Sequence, residues 1–218
     1  MPITVVTGGP IVPDASLSAS AIPNYASLLL DAGEYSGRND IANVFPRLVG
    51  LAEAKLNRDL RTADQMTLAT IDLVDGEGFL PDGYLEIISF VDPRRYGLNA
   101  ISGRQLYNMF QSYGGVSYGY RIEGNRIILS PASDGQASVL YYSKIEGLTE
   151  DNTSNWLLEK APDVYLYSVL EQIAILEQNP EKASAAAGLR MEAIRGLQIN
   201  DERARWSNSR FVVRGPTP

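Results

Sequence analysis

The residues best able to do chemistry in this sequence are carboxylates. Asp72, Asp75, Glu77 and Asp82 lie within eleven residues of one another, and Glu86 follows them. Such clusters bind Ca²⁺ in EF-hand loops or hydrolyse glycosidic bonds as acid–base pairs. The spacing does not fit an EF-hand, which needs oxygens at alternate positions, then Gly, then a Glu six residues later. A solvated turn is the favoured interpretation, and a catalytic pair of Asp82 and Glu86 on one helical face is the enzymatic alternative.

The rest of the chemical repertoire is narrow because the sequence contains no Cys and no His. Disulfides, thiolate nucleophiles, imidazole catalysis and the usual zinc ligands are therefore excluded. Gly114, Gly115 and Gly119 lie among tyrosines and form neither a P-loop nor a dinucleotide-binding motif. We therefore predict no catalytic residue, no metal site and no cofactor.

Composition and charge restrict the function further. The chain has 218 residues, of which 44% are hydrophobic, enough for one good-sized domain with a core. Its net charge of −7 argues against a general nucleic-acid binder, which would be basic. No apolar run reaches the ~18 residues of a membrane span, and no secretion signal pattern is present. We expect no membrane partner and synthesis in the cytoplasm.

The tyrosines offer a second functional alternative. There are twelve, clustered at residues 113–120, 141–142 and 165–167. A tyrosine-rich surface can bind sugars or proteins. The competing interpretation divides Tyr141, Tyr142, Tyr165 and Tyr167 between the core and the sheet surface. Together with the carboxylates, the tyrosines define one candidate function: an acidic carbohydrate-active protein, either a carboxylate hydrolase or a sugar-binding module.

Residue periodicity predicts the elements that position these side chains. Apolar residues at helical spacing predict a helix over residues 41–56, with Pro46 either kinking it or starting it. Alternation predicts a strand over residues 65–73, and residues 84–91 fit a strand or a short helix. Further patterns predict a hairpin over residues 118–129, a third strand at 137–145, and two helices, from Pro162 to Gln178 and from about 180 to 205. The fold class is therefore α+β, a helical bundle with an inserted antiparallel sheet.

Both ends of the chain differ from this body. We predict an extended N-terminal arm over residues 1–37, a body over 38–205 with a β-rich insertion at about 65–146, and a tail over 206–218. Three Pro residues and a Gly-Gly pair interrupt residues 1–22. The apolar residues of this arm favour pairing with a neighbouring subunit over a disordered terminus. They are Val5, Val6, Ile11 and Val12.

The C-terminal tail reverses the charge of the chain. From residue 203 onward there are four arginines and no acidic residue. Arginine beside exposed aromatic residues is typical of interface anchors, whereas a frayed terminus is the competing interpretation. We therefore predict a docking element. Its residues are Arg203, Arg205, Trp206, Arg210, Phe211, Val212, Val213 and Arg214.

Several segments together carry a family resemblance. The most telling is Ser154-Asn-Trp-Leu-Leu158 followed by Ala161-Pro-Asp-Val-Tyr-Leu-Tyr167. The other segments are residues 52–61 (AEAKLNRDLR), 80–88 (LPDGYLEII), 120–131 (YRIEGNRIILSP) and 140–142 (LYY). In their order and spacing, over roughly residues 38–206, these segments resemble the head-to-tail adaptor proteins of tailed bacteriophages.

The resemblance implies a structural protein of the virion. Family members form a ring, usually of twelve subunits, beneath the portal at the head–tail junction. Their C-terminal segment reaches the portal, and the ring receives the tail or nozzle below. Double-stranded DNA passes through, and an acidic body would repel its phosphates without binding them specifically. The N-terminal extension is longer than the family leads us to expect.

Overall fold

The computed structural model of the protein describes residues 21–102, 104 and 119–206. Within these residues the chain forms five α-helices and seven strands in antiparallel sheets, an α+β fold as predicted. The chain divides into two compact units. The first combines the chain up to Gly50 with Gly147–Ala193, and the second combines Leu51–Glu146 with the chain from Ile194 onward.

Helices form the described part of the first unit. The division between the units falls inside α2 and inside α5, so each of these helices contributes residues to both. α1 packs on α4, and the rings of Tyr25 and Phe45 meet edge to face with centroids 5.1 Å apart. The five helices are α1 (Tyr25–Ser36), α2 (Phe45–Asp59), α3 (Trp156–Lys160), α4 (Pro162–Leu176) and α5 (Pro180–Trp206).

Helix α1 corrects the prediction of an extended arm over residues 1–37, which is wrong from Tyr25 onward. Asn24 caps the helix, because its Oδ1 accepts a hydrogen bond from the Ser27 amide at 2.9 Å. Gly37 ends it in the left-handed region, with φ 73°, and donates its N–H to the Glu34 carbonyl. Both capping residue types were readable in the sequence. Residues 1–20 lie outside the described part of the chain.

The remaining helix predictions agree closely with the structure. α2 starts at Phe45, so Pro46 occupies the first turn rather than a kink, as one of the two alternatives predicted. α4 begins at Pro162, and α5 begins at Pro180 and ends at Trp206. The short helix α3 was not predicted. Its N-cap is Asn155, whose Oδ1 accepts from the Leu158 amide at 3.0 Å.

Two antiparallel sheets form the second unit, where the sequence predicted one. The first sheet has the strand order β1-β7-β3-β4, and the second has the order β2-β6-β5. The predicted hairpin is β5–β6, and the predicted third strand is β7, but they belong to different sheets. The strands are β1 (Met66–Leu73), β2 (Glu77–Phe79), β3 (Tyr84–Val91), β4 (Gly97–Leu98), β5 (Gly119–Glu123), β6 (Arg126–Ser130) and β7 (Gly135–Ser143).

A tight turn connects β1 of the first sheet to β2 of the second. Asp75 and Gly76 both have positive φ, 53° and 75°, and form a two-residue connection closed by the Val74–Glu77 pair. A Cβ at Gly76 would lie 2.6 Å from the Ala132 Cα, so only glycine fits there. A turn was the favoured interpretation of the carboxylate cluster, and Asp75 lies in one, but Glu77 already belongs to strand β2.

The core of the second unit draws on both sheets. The rings of Phe90 and Tyr120 lie 5.1 Å apart, which brings β3 of the first sheet against β5 of the second. Burial of the hydrophobic cluster between the sheets is the main source of stability for the unit. The buried cluster consists of Ile71, Leu73, Leu80, Phe90, Tyr120, Ile127, Leu129, Ala137, Val139 and Tyr141.

Candidate interaction surfaces

The carboxylates that could have formed a catalytic pair do not share a helical face. Asp82 lies in the turn before β3, and Glu86 lies within β3. Glu86 Oε2 accepts a hydrogen bond from Arg61 Nε at 2.9 Å, and Glu77 Oε2 accepts from Arg126 Nη1 at 3.0 Å. Within residues 21–102, 104 and 119–206, no group of three or more Asp, Glu, His or Cys side chains is placed to hold a metal ion.

Arg61 has a structural role in the second unit. Its Nη1 donates to the carbonyls of Asn57 at 2.9 Å and Leu60 at 2.6 Å, which caps the C-terminus of α2. Its guanidinium carbon lies 5.9 Å from the centroid of the Tyr142 ring. With Glu86 on its other side, Arg61 joins α2 to β3 and β7. The adaptor-like segment at residues 52–61 therefore contributes to the scaffold.

The tyrosines divide between core and surface. Tyr141 and Tyr165 are buried, whereas Tyr142 and Tyr167 are half-buried. The hydroxyl of Tyr165 accepts a hydrogen bond from Asn155 Nδ2 at 2.7 Å, which ties α4 to the start of α3. These positions agree with the structural interpretation of the tyrosines. The tyrosines of residues 113–118 lie outside the described residues.

The predicted docking element begins at the end of α5. Arg203 and Arg205 both lie in its last turn. Arg205 Nη2 lies 2.7 Å from Asp201 Oδ2, one helical turn earlier, so this cation is already engaged within the helix. Trp206 is the last residue of α5. The remaining predicted docking residues, Arg210, Phe211, Val212, Val213 and Arg214, lie outside the described part of the chain.

Asp201 anchors the base of this element. Its side chain is buried, and its two oxygens accept hydrogen bonds from the Ala63 amide at 3.1 and 3.2 Å. Ala63 begins a 3₁₀ turn, Ala63–Gln65, and Asp201 therefore accepts a hydrogen bond from the first amide of that turn. The last turn of α5 is therefore fixed within the second unit. Sequence reasoning missed Asp201, and its spacing of four from Arg205 was the available signal.

An apolar surface lies along strand β1. The Leu68 side chain is 72% exposed and that of Met66 is 36% exposed. Leu68 lies opposite Leu140 of β7, which is half-buried. On the second sheet, Phe79 of β2 is exposed to a similar degree, at 71%. The predicted subunit-contacting residues Val5, Val6, Ile11 and Val12 lie outside the described residues.

A groove of about 240 Å³ crosses the first unit between α1, α4 and α5. Tyr35, which is 69% exposed, and Leu189, which is 46% exposed, lie on its apolar wall. At its rim Lys182 Nζ lies 3.3 Å from Glu177 Oε2. The groove therefore has an apolar wall with charged groups at one rim.

Comparison with known proteins identifies a family that the chain matches. A family model described as SU10 adaptor protein matches residues 23–214. No curated protein sequence matches the chain. The matched range contains every predicted docking residue from Arg203 to Arg214, and the N-terminal arm residues from Val5 to Val12 precede it. None of the described helices is long and apolar enough to cross a membrane.

Proposed function

We propose a function from the premise that this chain belongs to the SU10 adaptor protein family, a family of phage head-to-tail adaptors. Membership makes the chain a phage adaptor protein and implies a place at the head–tail junction, in contact with portal and tail proteins. The chain acts there as a structural component rather than as an enzyme. It assembles into a ring, for which the resemblance implies twelve subunits, and this ring joins the portal to the tail or nozzle.

The observation that carries this proposal is the extent of the family match, which reaches Arg214 and so includes the arginine-rich tail. The ring docks on the portal through this tail. Twelve residues follow Trp206, and they span about 40 Å when extended at ~3.3 Å per residue. That length allows each tail to reach between two subunits of a second ring. The buried Asp201 carboxylate supports this role, because it fixes the helix from which the tail departs.

The channel of the ring lets DNA pass without holding it. The chain has 26 acidic and 19 basic side chains, so the surface of an assembled ring carries excess negative charge. Negative walls repel phosphates and favour free passage. The carbohydrate-active alternative receives no support from the described carboxylates, since Glu86 is paired with Arg61 and shares no helical face with Asp82.

The proposal is tested by deleting residues 207–218, which leaves α5 and the Asp201–Arg205 pair intact. We expect the shortened protein to keep its circular dichroism spectrum and melting temperature but to lose binding to purified portal rings, measured by mass photometry. Aromatic and arginine anchors commonly cost ~2 kcal/mol or more each when truncated, and a ring multiplies the loss through avidity. Undiminished binding would place the docking surface on the folded body.

A charge-reversal pair sharpens the test. Arg210→Glu/Arg214→Glu changes the tail, whereas Arg94→Glu/Arg95→Glu makes the same change in net charge on an exposed loop after β3. Docking through the tail predicts that only the first pair weakens portal binding. Equal weakening by both pairs would indicate a general charge effect and would count against the tail as the docking element.

A further inference from the structure

Strand β1 has an open edge. β7 pairs with one side of β1 through eight residue pairs, and no described strand pairs with the other side. Near the end of β1 the chain of β2 comes close, since a Cβ at Gly78 would lie 3.0 Å from the Asp72 carbonyl oxygen. Among the described residues, the stretch of β1 without a strand on this side is therefore residues 66–70. An edge strand directs alternate N–H and C=O groups away from its sheet, where another strand can pair with them.

This edge lacks the usual protection against pairing. Proteins guard free edges with Lys, Pro, bulges or inward-pointing charges. Residues 66–70 read MTLAT, without a charge, a Pro or a Gly, and their register with β7 is unbroken. Strand β3 of the same sheet, by contrast, contains two register shifts. The edge also offers an apolar contact, because Leu68 is 72% exposed. Open backbone groups beside an apolar side chain are what strand addition requires.

The chain itself carries a segment suited to this edge. Residues 3–7 read ITVVT, five β-branched residues without charge, between Pro2 and Gly8-Gly9-Pro10. Five residues match the length of that stretch of β1, and β-branched residues favour strands. Because side chains alternate along a strand, a strand formed by residues 3–7 would direct Val5 and Val6 to opposite faces. Whichever face turns toward Leu68 therefore presents a valine to it.

We infer that residues 3–7 of a neighbouring copy add to β1 as a fifth strand of the first sheet. Thirteen residues lie between Thr7 and Ala21, the first described residue, and the fourteen residue-to-residue steps from Thr7 to Ala21 span about 46 Å when extended at ~3.3 Å each. Pro10 and Pro13 favour extended backbone within this connection. The arm thus has the reach to leave its own subunit.

Strand addition of this kind supports ring closure. Each copy gives one arm and accepts one arm, which is a head-to-tail contact that closes when the rotation between copies completes a circle. The inference rests on the proposed function for the ring itself, but it adds the surface and the segment that hold neighbouring subunits together. It also assigns a role to the extension that precedes the family match.

Engineered cysteines test the pairing directly, because the chain has none of its own. Full-length Leu68→Cys combined with Val5→Cys, or with Val6→Cys, is assembled, oxidised and run on a non-reducing gel. Pairing between copies predicts a covalent ladder of multimers with at least one of the two combinations. A band of compacted monomer would mean that the arm pairs with its own subunit, and the absence of any cross-link would mean that β1 accepts no arm. Either result overturns the inference.

A matched pair of substitutions tests the edge without cross-linking. Leu68→Lys places a charge at the proposed site, and Phe79→Lys makes the same change at an equally exposed position on the other sheet. We expect Leu68→Lys to raise the concentration needed for half-assembly by about tenfold or more, and Phe79→Lys to leave it unchanged. Equal assembly of the two variants overturns the inference alone. Failure of the unmodified protein to form any ring or bind portal would instead overturn the proposed function.

Discussion

The two units of this protein both use helix α5 to place a buried charge, but they neutralise it differently. In the first unit Arg190 Nε lies 3.0 Å from Glu171 Oε2, with the two residues 4% and 5% exposed. In the second unit Asp201 accepts from the Ala63 backbone amide and pairs with Arg205, whose side chain is 35% exposed. Both members of the first pair are buried, whereas in the second pair Asp201 is buried and Arg205 remains in contact with solvent.

This difference determines how much stability the protein loses when one partner of each interaction is removed. Removing one member of a fully buried pair leaves the other charge desolvated and uncompensated, which is costly. Removing Asp201 leaves a backbone amide without its acceptor and a solvated arginine, which is a smaller loss. The charge pair of the first unit should therefore be the more sensitive of the two. Substitutions of Glu171 and Asp201 test this ordering, and tyrosine substitutions with smaller expected effects extend the comparison of the two units.

The largest effect is expected for Glu171→Ala. It removes the carboxylate that pairs with the buried Arg190 guanidinium, so we expect a loss of ~3–5 kcal/mol in the free energy of unfolding, measured by urea denaturation. The double variant Glu171→Met/Arg190→Met removes both charges and keeps the volume, and it should recover most of this loss. If the single and double variants were equally destabilised, packing rather than charge compensation would explain the effect.

A smaller effect is expected for Asp201→Ala. The substitution removes the acceptor of the Ala63 amide, at a cost of ~1–3 kcal/mol. Glu202→Ala makes the same charge change at the next position of α5, where the side chain is exposed, and should change the unfolding free energy by less than ~0.5 kcal/mol. A loss for Asp201→Ala as large as that for Glu171→Ala would contradict the contrast between the units.

Helix α5 also shows how far the sequence could predict this architecture. Its span was predicted because apolar periodicity is a local signal. Its buried face does not follow side-chain hydrophobicity alone, because Leu189 and Met191 are 46% and 54% exposed. The positions that are buried recur at intervals of three and four residues and include both charges. They are Ala186, Arg190, Ile194, Leu197 and Asp201.

The errors share a physical cause. A buried charge is tolerated only when its partner is present, and the partners of Arg190 and Asp201 are 19 and 138 residues away in sequence. The same holds for the division of the strands into two sheets, since pairing depends on distant segments rather than on alternation. Local patterns therefore located most helices and strands, whereas the anchored base of the tail and the open edge of β1 became visible only in the fold.

A third, smaller effect sharpens the description of the first unit. Tyr165→Phe removes the hydroxyl that accepts from Asn155 Nδ2 at 2.7 Å, in a buried setting. We expect a loss of ~1 kcal/mol in the unfolding free energy, because a typical buried hydrogen bond contributes about that much. Tyr167→Phe removes the same group from a half-buried ring of the same helix and serves as the control. Equal effects of the two would show that the Asn155 contact adds nothing.

The last prediction concerns two tyrosines of the second unit, whose ionisation affects the free energy of unfolding only at alkaline pH. Burial raises the pKa of Tyr84 and of Tyr120 above the ordinary value of 10.0, because the phenolate is disfavoured away from water. Each ring is packed against an aromatic neighbour, Tyr84 against Tyr141 and Tyr120 against Phe90. The folded state therefore holds both phenolic protons more tightly than the unfolded chain does.

The sign of the resulting pH dependence follows by linkage. Stability from these two groups is fully present below pH 10, where both states are protonated, and it is lost as the pH rises from that value through the raised pKa. We expect the urea midpoint to fall between pH 9 and pH 11, and to fall less in Tyr84→Phe/Tyr120→Phe. Tyr35→Phe/Tyr96→Phe removes two hydroxyls from exposed rings and is the control. A fall of the same size in all three proteins would mean that the buried rings contribute no pH dependence, and that alkaline unfolding arises from the net charge of the whole chain.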